Sequence, residues 1–60
     1  MRDILRIERI LDALWEYWTE HPDLRLGQII SNATPVRQDV FYLSDDHLEK
    51  WLEDAIIAER

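Results

Sequence analysis

Between Ile4 and Trp18, eight apolar side chains recur at helical spacing. Tyr17, Ile10, Leu14, Ile7, Trp18, Leu11, Ile4 and Trp15 follow one another around an arc of about 160° at 100° per residue. The width of that arc constrains the fold more than any other feature of the chain. It exceeds a coiled-coil seam, and a single neighbouring helix does not cover it. A helix here therefore packs against two partners, which suits a three-helix domain or a two-helix pair closed by another subunit. Asp3 serves as the expected N-cap, and His21-Pro22 as the stop, because the residue before a proline is pushed out of the α region. The pattern predicts a helix over 4–20, with Leu5 alone pointing to the far side.

The charges of this helix run against its own macrodipole. Arg2, Arg6 and Arg9 sit at the amino end and Glu16 and Glu20 at the carboxyl end, where the opposite arrangement is worth about 0.3–1 kcal/mol per exposed charge. Glu8, Asp12, Glu16 and Glu20 form an i, i+4 ridge in which each like-charged neighbour costs roughly 0.2–0.5 kcal/mol. Costs of this size are tolerated on a solvated face. They also fit a ridge that lies beside a positive surface.

Asp23 reads as the N-cap of a second helix over 24–33, with Leu26, Ile29, Ile30 and Ala33 on one face. Gly27, the only glycine, falls inside it at a cost of about 1 kcal/mol relative to alanine, which implies close approach of another element such as the ring of Trp15 or Trp18. Thr34-Pro35 ends the segment. Val40 to Leu43 has strand-like composition but no second strand to pair with, so it is expected to be an extended connector, with Phe41 or Tyr42 filling a gap in the core, or an edge that pairs with another molecule. Ser44 is the N-cap of a third helix over 45–58: Asp45 and Asp46 occupy the favourable first turn. That helix buries Leu48, Trp51, Leu52, Ala55 and Ile56 and leaves Ile57 facing outward. Leu11, Leu14, Trp18, Leu26, Ile30, Leu48 and Leu52 are the expected core. The fold class is thus mostly all-α: one small three-helix domain over 1–60, with a short extended connector between helices 2 and 3.

Sixty residues bury only about 60% of the surface their unfolded chain exposes, and such chains rely on disulfides, a structural metal or association. Without cysteine, disulfides and thiolate zinc sites are excluded, and His21 and His47 lack the paired spacing of histidine ligands. Thirteen Asp and Glu against seven Lys and Arg give a net charge of −6, which repels nucleic acid phosphates and anionic lipid. No apolar run is long enough to span a bilayer, and Met1-Arg2-Asp3 is not followed by a continuous apolar signal core. A cytoplasmic protein is expected, with no direct contact to nucleic acid or membrane.

Little in the chain suggests catalysis. Asp45-Asp46-His47 places two carboxylates beside an imidazole, but consecutive helical residues point about 100° apart and do not converge on one ion. Helix capping explains all three. Thr19, Ser31, Thr34 and Ser44 lie in no nucleophile elbow and have no partner base, and one glycine does not make a phosphate loop. No enzyme, no cofactor, no metal site and no small-molecule substrate are expected. Trp15, Trp18 and Trp51 all fall on apolar arcs and are assigned to the core. A helix-turn-helix reading fails because helix 3 carries Asp45, Asp46, Glu49, Glu53 and Asp54 against the single Lys50.

Trp18, the run Pro22-Asp23-Leu24-Arg25-Leu26-Gly27-Gln28-Ile29-Ile30, and the step Asp39-Val40-Phe41-Tyr42-Leu43-Ser44-Asp45-Asp46-His47-Leu48 together form a W…PDLRLGQ(I/L)I…FYxxDDxL pattern. In this the chain resembles a family of small uncharacterised bacterial and phage proteins. The resemblance covers most of the chain, strongest over the nine residues from Pro22, and implies a compact, mostly helical domain. It carries no catalytic residues.

The expected function is that of a small acidic adaptor or inhibitor that binds a basic surface of another protein. Glu8, Asp12, Glu16 and Glu20 would steer the encounter, and the two wet apolar residues Leu5 and Ile57 would add residence time. A nucleic-acid mimic, with carboxylates standing in for phosphates, is one alternative. Another is a self-associating helical structural protein, in which antiparallel copies of helix 1 set Arg2, Arg6 and Arg9 of one chain against Glu16 and Glu20 of the other.

Overall fold

The computed structural model describes residues 3–59; Arg2, invoked above, lies outside them. Three helices follow in order: α1 (Leu5–Glu20), α2 (Leu26–Ala33) and α3 (Asp45–Ala58), with a single 3-10 turn (Val40–Tyr42) before α3. No strand occurs among the described residues. The domain is all-α, and α1 and α3 end within a residue of their expected bounds.

Local chemistry accounts for the helix ends. Ile4, not Asp3, occupies the N-cap position of α1 and makes no side-chain cap bond, while Asp3 just before it accepts from the Leu5 N–H through Oδ1 at 2.9 Å. That bond, followed by the contact with Arg9, holds the Asp3 carboxyl below its usual range. Ser44 caps α3 by accepting from the His47 N–H at 3.1 Å. The start of α2 departs from expectation. Arg25, not Asp23, occupies the N-cap position, and its N–H donates to Gln28 Oε1 at 2.7 Å. The cause lies in Leu24, whose carbonyl accepts from the indole Nε1–H of Trp18 at 2.8 Å. With that oxygen taken and Leu24 N–H bonded back to His21 O at 3.1 Å, Pro22 to Leu24 form a turn and the helix begins beyond it.

The segment before α3 is neither an extended connector nor a pairing edge. Asp39 nucleates the 3-10 turn by accepting from Phe41 N–H at 2.9 Å through its side chain, while Gln38 Nε2 donates to Tyr42 O at 3.0 Å. These bonds satisfy the backbone locally, so it needs no partner strand. The turn also projects its aromatic rings away from the core. Phe41 is 81% exposed and meets Tyr42 edge-on at 5.1 Å, so neither ring fills an interior gap. Upstream, Arg37 sits at φ 70° in the turn closed by Gln38 N–H and Pro35 O, a conformation ordinarily taken by Gly or Asn.

The helices assemble around Tyr17, Ile29 and Leu52, of which Ile29 and Leu52 are fully buried; Ala33 is buried as well. Ala13, Leu14, Trp18, Leu24, Leu48, Trp51, Ala55 and Ile56 pack around that centre, with Trp51 edge-on to Tyr17 at 5.3 Å. Both α1 and α2 pack against α3. The α1–α3 pair runs parallel, as three ion pairs in a constant register show: Arg6 to Asp45, Arg9 to Glu49 and His21 to Glu59. A parallel pair needs a return path as long as the helix itself, about 1.5 Å per residue. Residues 21–44 supply it.

This arrangement corrects part of the expected core. Leu11 and Leu26 are exposed, and Trp15 is 72% exposed. Along α1 the residues that α3 covers, Ala13, Tyr17 and Leu14, occupy one flank of the apolar arc. Because α2 docks on α3 instead of closing over the opposite flank, Ile4, Ile7, Leu11 and Trp15 stay in solvent. The reason assigned to Gly27 fails too: a Cβ built there meets nothing within 4 Å, so no ring approaches it.

Two stability outcomes follow. Gly27→Ala should raise stability by about 0.4–1 kcal/mol, since φ is not positive and the added methyl has room; a lower melting temperature would show that another element needs that space. Leu52→Ala should cost about 2–5 kcal/mol, enough to unfold much of the population, whereas Leu11→Ala should cost well under about 1 kcal/mol. Urea titrations of the two variants check the contrast.

Candidate interaction surface

The inverted charges of α1 are answered within the molecule at its amino end. Arg6 Nε lies 2.8 Å from Asp45 Oδ2, and Arg9 Nε lies 3.0 Å from Glu49 Oε2, with Asp3 reaching the same guanidinium at 3.3 Å. Acidic residues belong in the first turn of α3 by its own dipole, and the parallel packing brings that turn alongside the amino end of α1. Arginines there are counter-charges to α3. The contacts with Glu49 and Asp3 raise the pKa of the Arg9 guanidinium, which stays charged throughout. This leaves no call for an outside carboxylate to explain Arg6 and Arg9.

At the opposite end acidic side chains gather. The carboxyl termini of two parallel helices, each a partial negative pole, lie side by side. Glu16, Glu20 and Glu59 surround Ile56 there, and one turn earlier Asp12, Glu16 and Glu53 line a shallow cleft over Ala13, Ile56 and Ile57. His21 tethers the two ends: Nδ1 donates to Tyr17 O at 3.0 Å, Nε2 lies 2.8 Å from Glu59, and the ring stacks on Tyr17 at 4.5 Å.

The structure therefore brings Asp12, Glu16, Glu20 and Ile57 together in one band along the α1–α3 groove. Glu8 and Leu5 do not line that band. Leu5 is exposed a turn or two toward the amino end, and Ile57 is exposed as expected. By helical angle Glu8 and Asp12 border the uncovered stripe of Ile4, Ile7, Leu11 and Trp15, about 80° wide at 100° per residue. Reading by composition assigned the stripe to the core. The available signal was the excess width of the arc, which no single neighbour covers.

A second apolar cleft lies between α2 and the following turns, lined by Leu26, Ile30, Pro35, Val36 and Val40. Three of the four candidate hydroxyl groups serve the backbone. Thr19 Oγ1 donates to Glu16 O at 3.0 Å, Thr34 Oγ1 to Ile30 O at 2.7 Å, and Ser44 is the α3 cap. Among the described residues, no group of three or more His, Cys, Asp or Glu has the arrangement of a metal site. Nor, among them, is any helix long and apolar enough to cross a membrane.

Comparison of the chain with family models, with curated proteins and with solved structures returns no match.

The Arg9–Glu49 pair offers a direct check on the parallel register. Arg9→Glu or Glu49→Arg alone should destabilise the fold, and the double variant should recover most of the loss. The coupling should be small but measurable, since Arg9 is half exposed and screened. Additive effects in a double-mutant cycle would contradict the register.

Proposed function

We propose that this chain is a non-enzymatic binding module, an adaptor or inhibitor that acts by docking a basic surface of another protein. One observation carries the reading: the apolar stripe Ile4, Ile7, Leu11 and Trp15 lies uncovered beside the acidic ridge that begins at Glu8 and Asp12. A contiguous apolar strip rimmed by charge is what interaction surfaces present, and a single exposed leucine is not. In this reading the carboxylates speed and orient the encounter, and the stripe sets the lifetime of the complex.

The alternatives draw on less. A nucleic-acid mimic would use the acidic band of the α1–α3 groove and leave the apolar stripe without a role. Self-association through α1 loses its charge rationale, because Arg6 and Arg9 are already paired to α3. Affinity capture from the native host, followed with Leu11→Glu and with Glu8→Lys combined with Asp12→Lys, tests the proposal. Both variants should keep the wild-type melting temperature within a few degrees and lose the captured protein, and wild-type capture should weaken as salt rises. Loss in the lysine variant alone would favour the mimic. A protein retained by both variants would rule out this surface.

A further inference from the structure

We infer that the stripe on α1 is a seat for one amphipathic α-helix of the partner, with lysine or arginine along the edge that faces Glu8 and Asp12. This rests on the reading of the chain as a binding module and specifies what that module holds. Three observations carry it.

The first is shape. Ile4, Ile7, Leu11 and Trp15 follow a 3-4-4 spacing along one straight helix, spanning about 16 Å at 1.5 Å per residue. A seam of that form is matched by the i, i+3, i+4, i+7 anchors of a second helix about three turns long. The second is backbone chemistry. The wall of α1 has no free N–H or C=O to offer along its length, so a strand laid on it would leave one row of its own backbone groups unpaired. An occupant that satisfies its backbone internally is a helix. The third is charge. On one side the stripe is bounded by the core through Leu14, at its carboxyl end it is closed by Trp18 under the turn at 22–24, and on the other side it is bounded by Glu8 and Asp12. Only the second side is charged, and it selects basic side chains on one edge of the incoming helix.

The same geometry weighs against two other occupants. A second copy docked antiparallel through this stripe would set Glu8 against Asp12 of its twin, carboxylate against carboxylate, twice over. An anionic membrane would meet the same two carboxylates along the edge of the strip, on a chain of net charge −6.

Synthetic peptides of about sixteen residues test the assignment. The probe carries leucines at i, i+3, i+4 and i+7 with lysines flanking them. One control has the same composition scrambled, and another has glutamate for lysine. By isothermal titration the probe should bind one-to-one, gain helicity in far-ultraviolet dichroism and shift the fluorescence of the protein, the shift vanishing in Trp15→Phe. Leu11→Glu, and separately Glu8→Lys with Asp12→Lys, should each weaken it by about tenfold or more, while Ile57→Ser on the far groove leaves it unchanged. Equal binding of the scrambled peptide would overturn the helix assignment while leaving a basic partner in place. Binding lost in Ile57→Ser but kept in Leu11→Glu would move the site to the acidic groove and overturn it as well. A probe that fails to bind, with native capture still lost in both α1 variants, overturns the helix and spares the module. A wild-type dimer in sedimentation that Leu11→Glu dissociates would give the stripe to a second copy.

Discussion

The parallel packing of α1 against α3 is the contact on which the rest of this structure depends. Tyr17 and Leu52 form its buried centre, Arg6 and Arg9 lock its amino end to Asp45 and Glu49, and His21 bridges its carboxyl end to Glu59. Two helices laid parallel set like dipole ends together, an unfavourable arrangement that opposite charges on the two helices can offset. The amino end has that offset. At the carboxyl end Glu16, Glu20 and Glu59 collect around Ile56, with His21 Nε2 2.8 Å from Glu59, so carboxylates gather at that end of the helix axis. An exposed ion pair is worth little by itself. In register along one interface these pairs specify which helix lies beside which, and in what direction.

Once α3 is committed to α1, it also receives α2, which meets α1 only around Tyr17 and Trp18 and leaves the rest of the arc uncovered. A third helix crossing over the arc would have made a closed bundle. Instead the return segment spends its length on α2 and two turns, one held by the Trp18 to Leu24 bond and one by Asp39, which leave Ile4, Ile7, Leu11 and Trp15 uncovered. The exposed strip is a consequence of topology in a short chain. A sixty-residue chain with so little interior leaves in solvent apolar surface that a larger domain would bury.

The helices were legible because their signals are local. Ser44 with two aspartates behind it, His21-Pro22 and Thr34-Pro35 act through neighbours in sequence, and the bounds of α1 and α3 followed from them. The late start of α2 was hidden because it turns on a side chain six residues upstream, the Trp18 indole, taking a backbone oxygen. Phe41 and Tyr42 look like core by composition, and only the hydrogen bonds of Asp39 and Gln38 turn them outward. Of the candidate site, the ridge and the exposure of Leu5 and Ile57 could be read from helical angles alone. Its apolar half could not, because Leu11 and Trp15 lie on the same apolar arc as Leu14 and Trp18, and only the tertiary packing shows which of these four are covered.

By itself the chain determined a cysteine-free, acidic, three-helix domain whose first helix needs two neighbours. Periodicity is a property of neighbouring residues and net charge of composition, and both survive any tertiary arrangement. Tertiary structure alone decided that α1 and α3 run parallel, that the inverted arginines are partners of α3, and that the flank of α1 holding Ile4, Ile7, Leu11 and Trp15 stays uncovered. Those outcomes depend on contacts some forty residues apart, such as Arg9 with Glu49, and helical periodicity holds no information about the direction from which such a contact arrives.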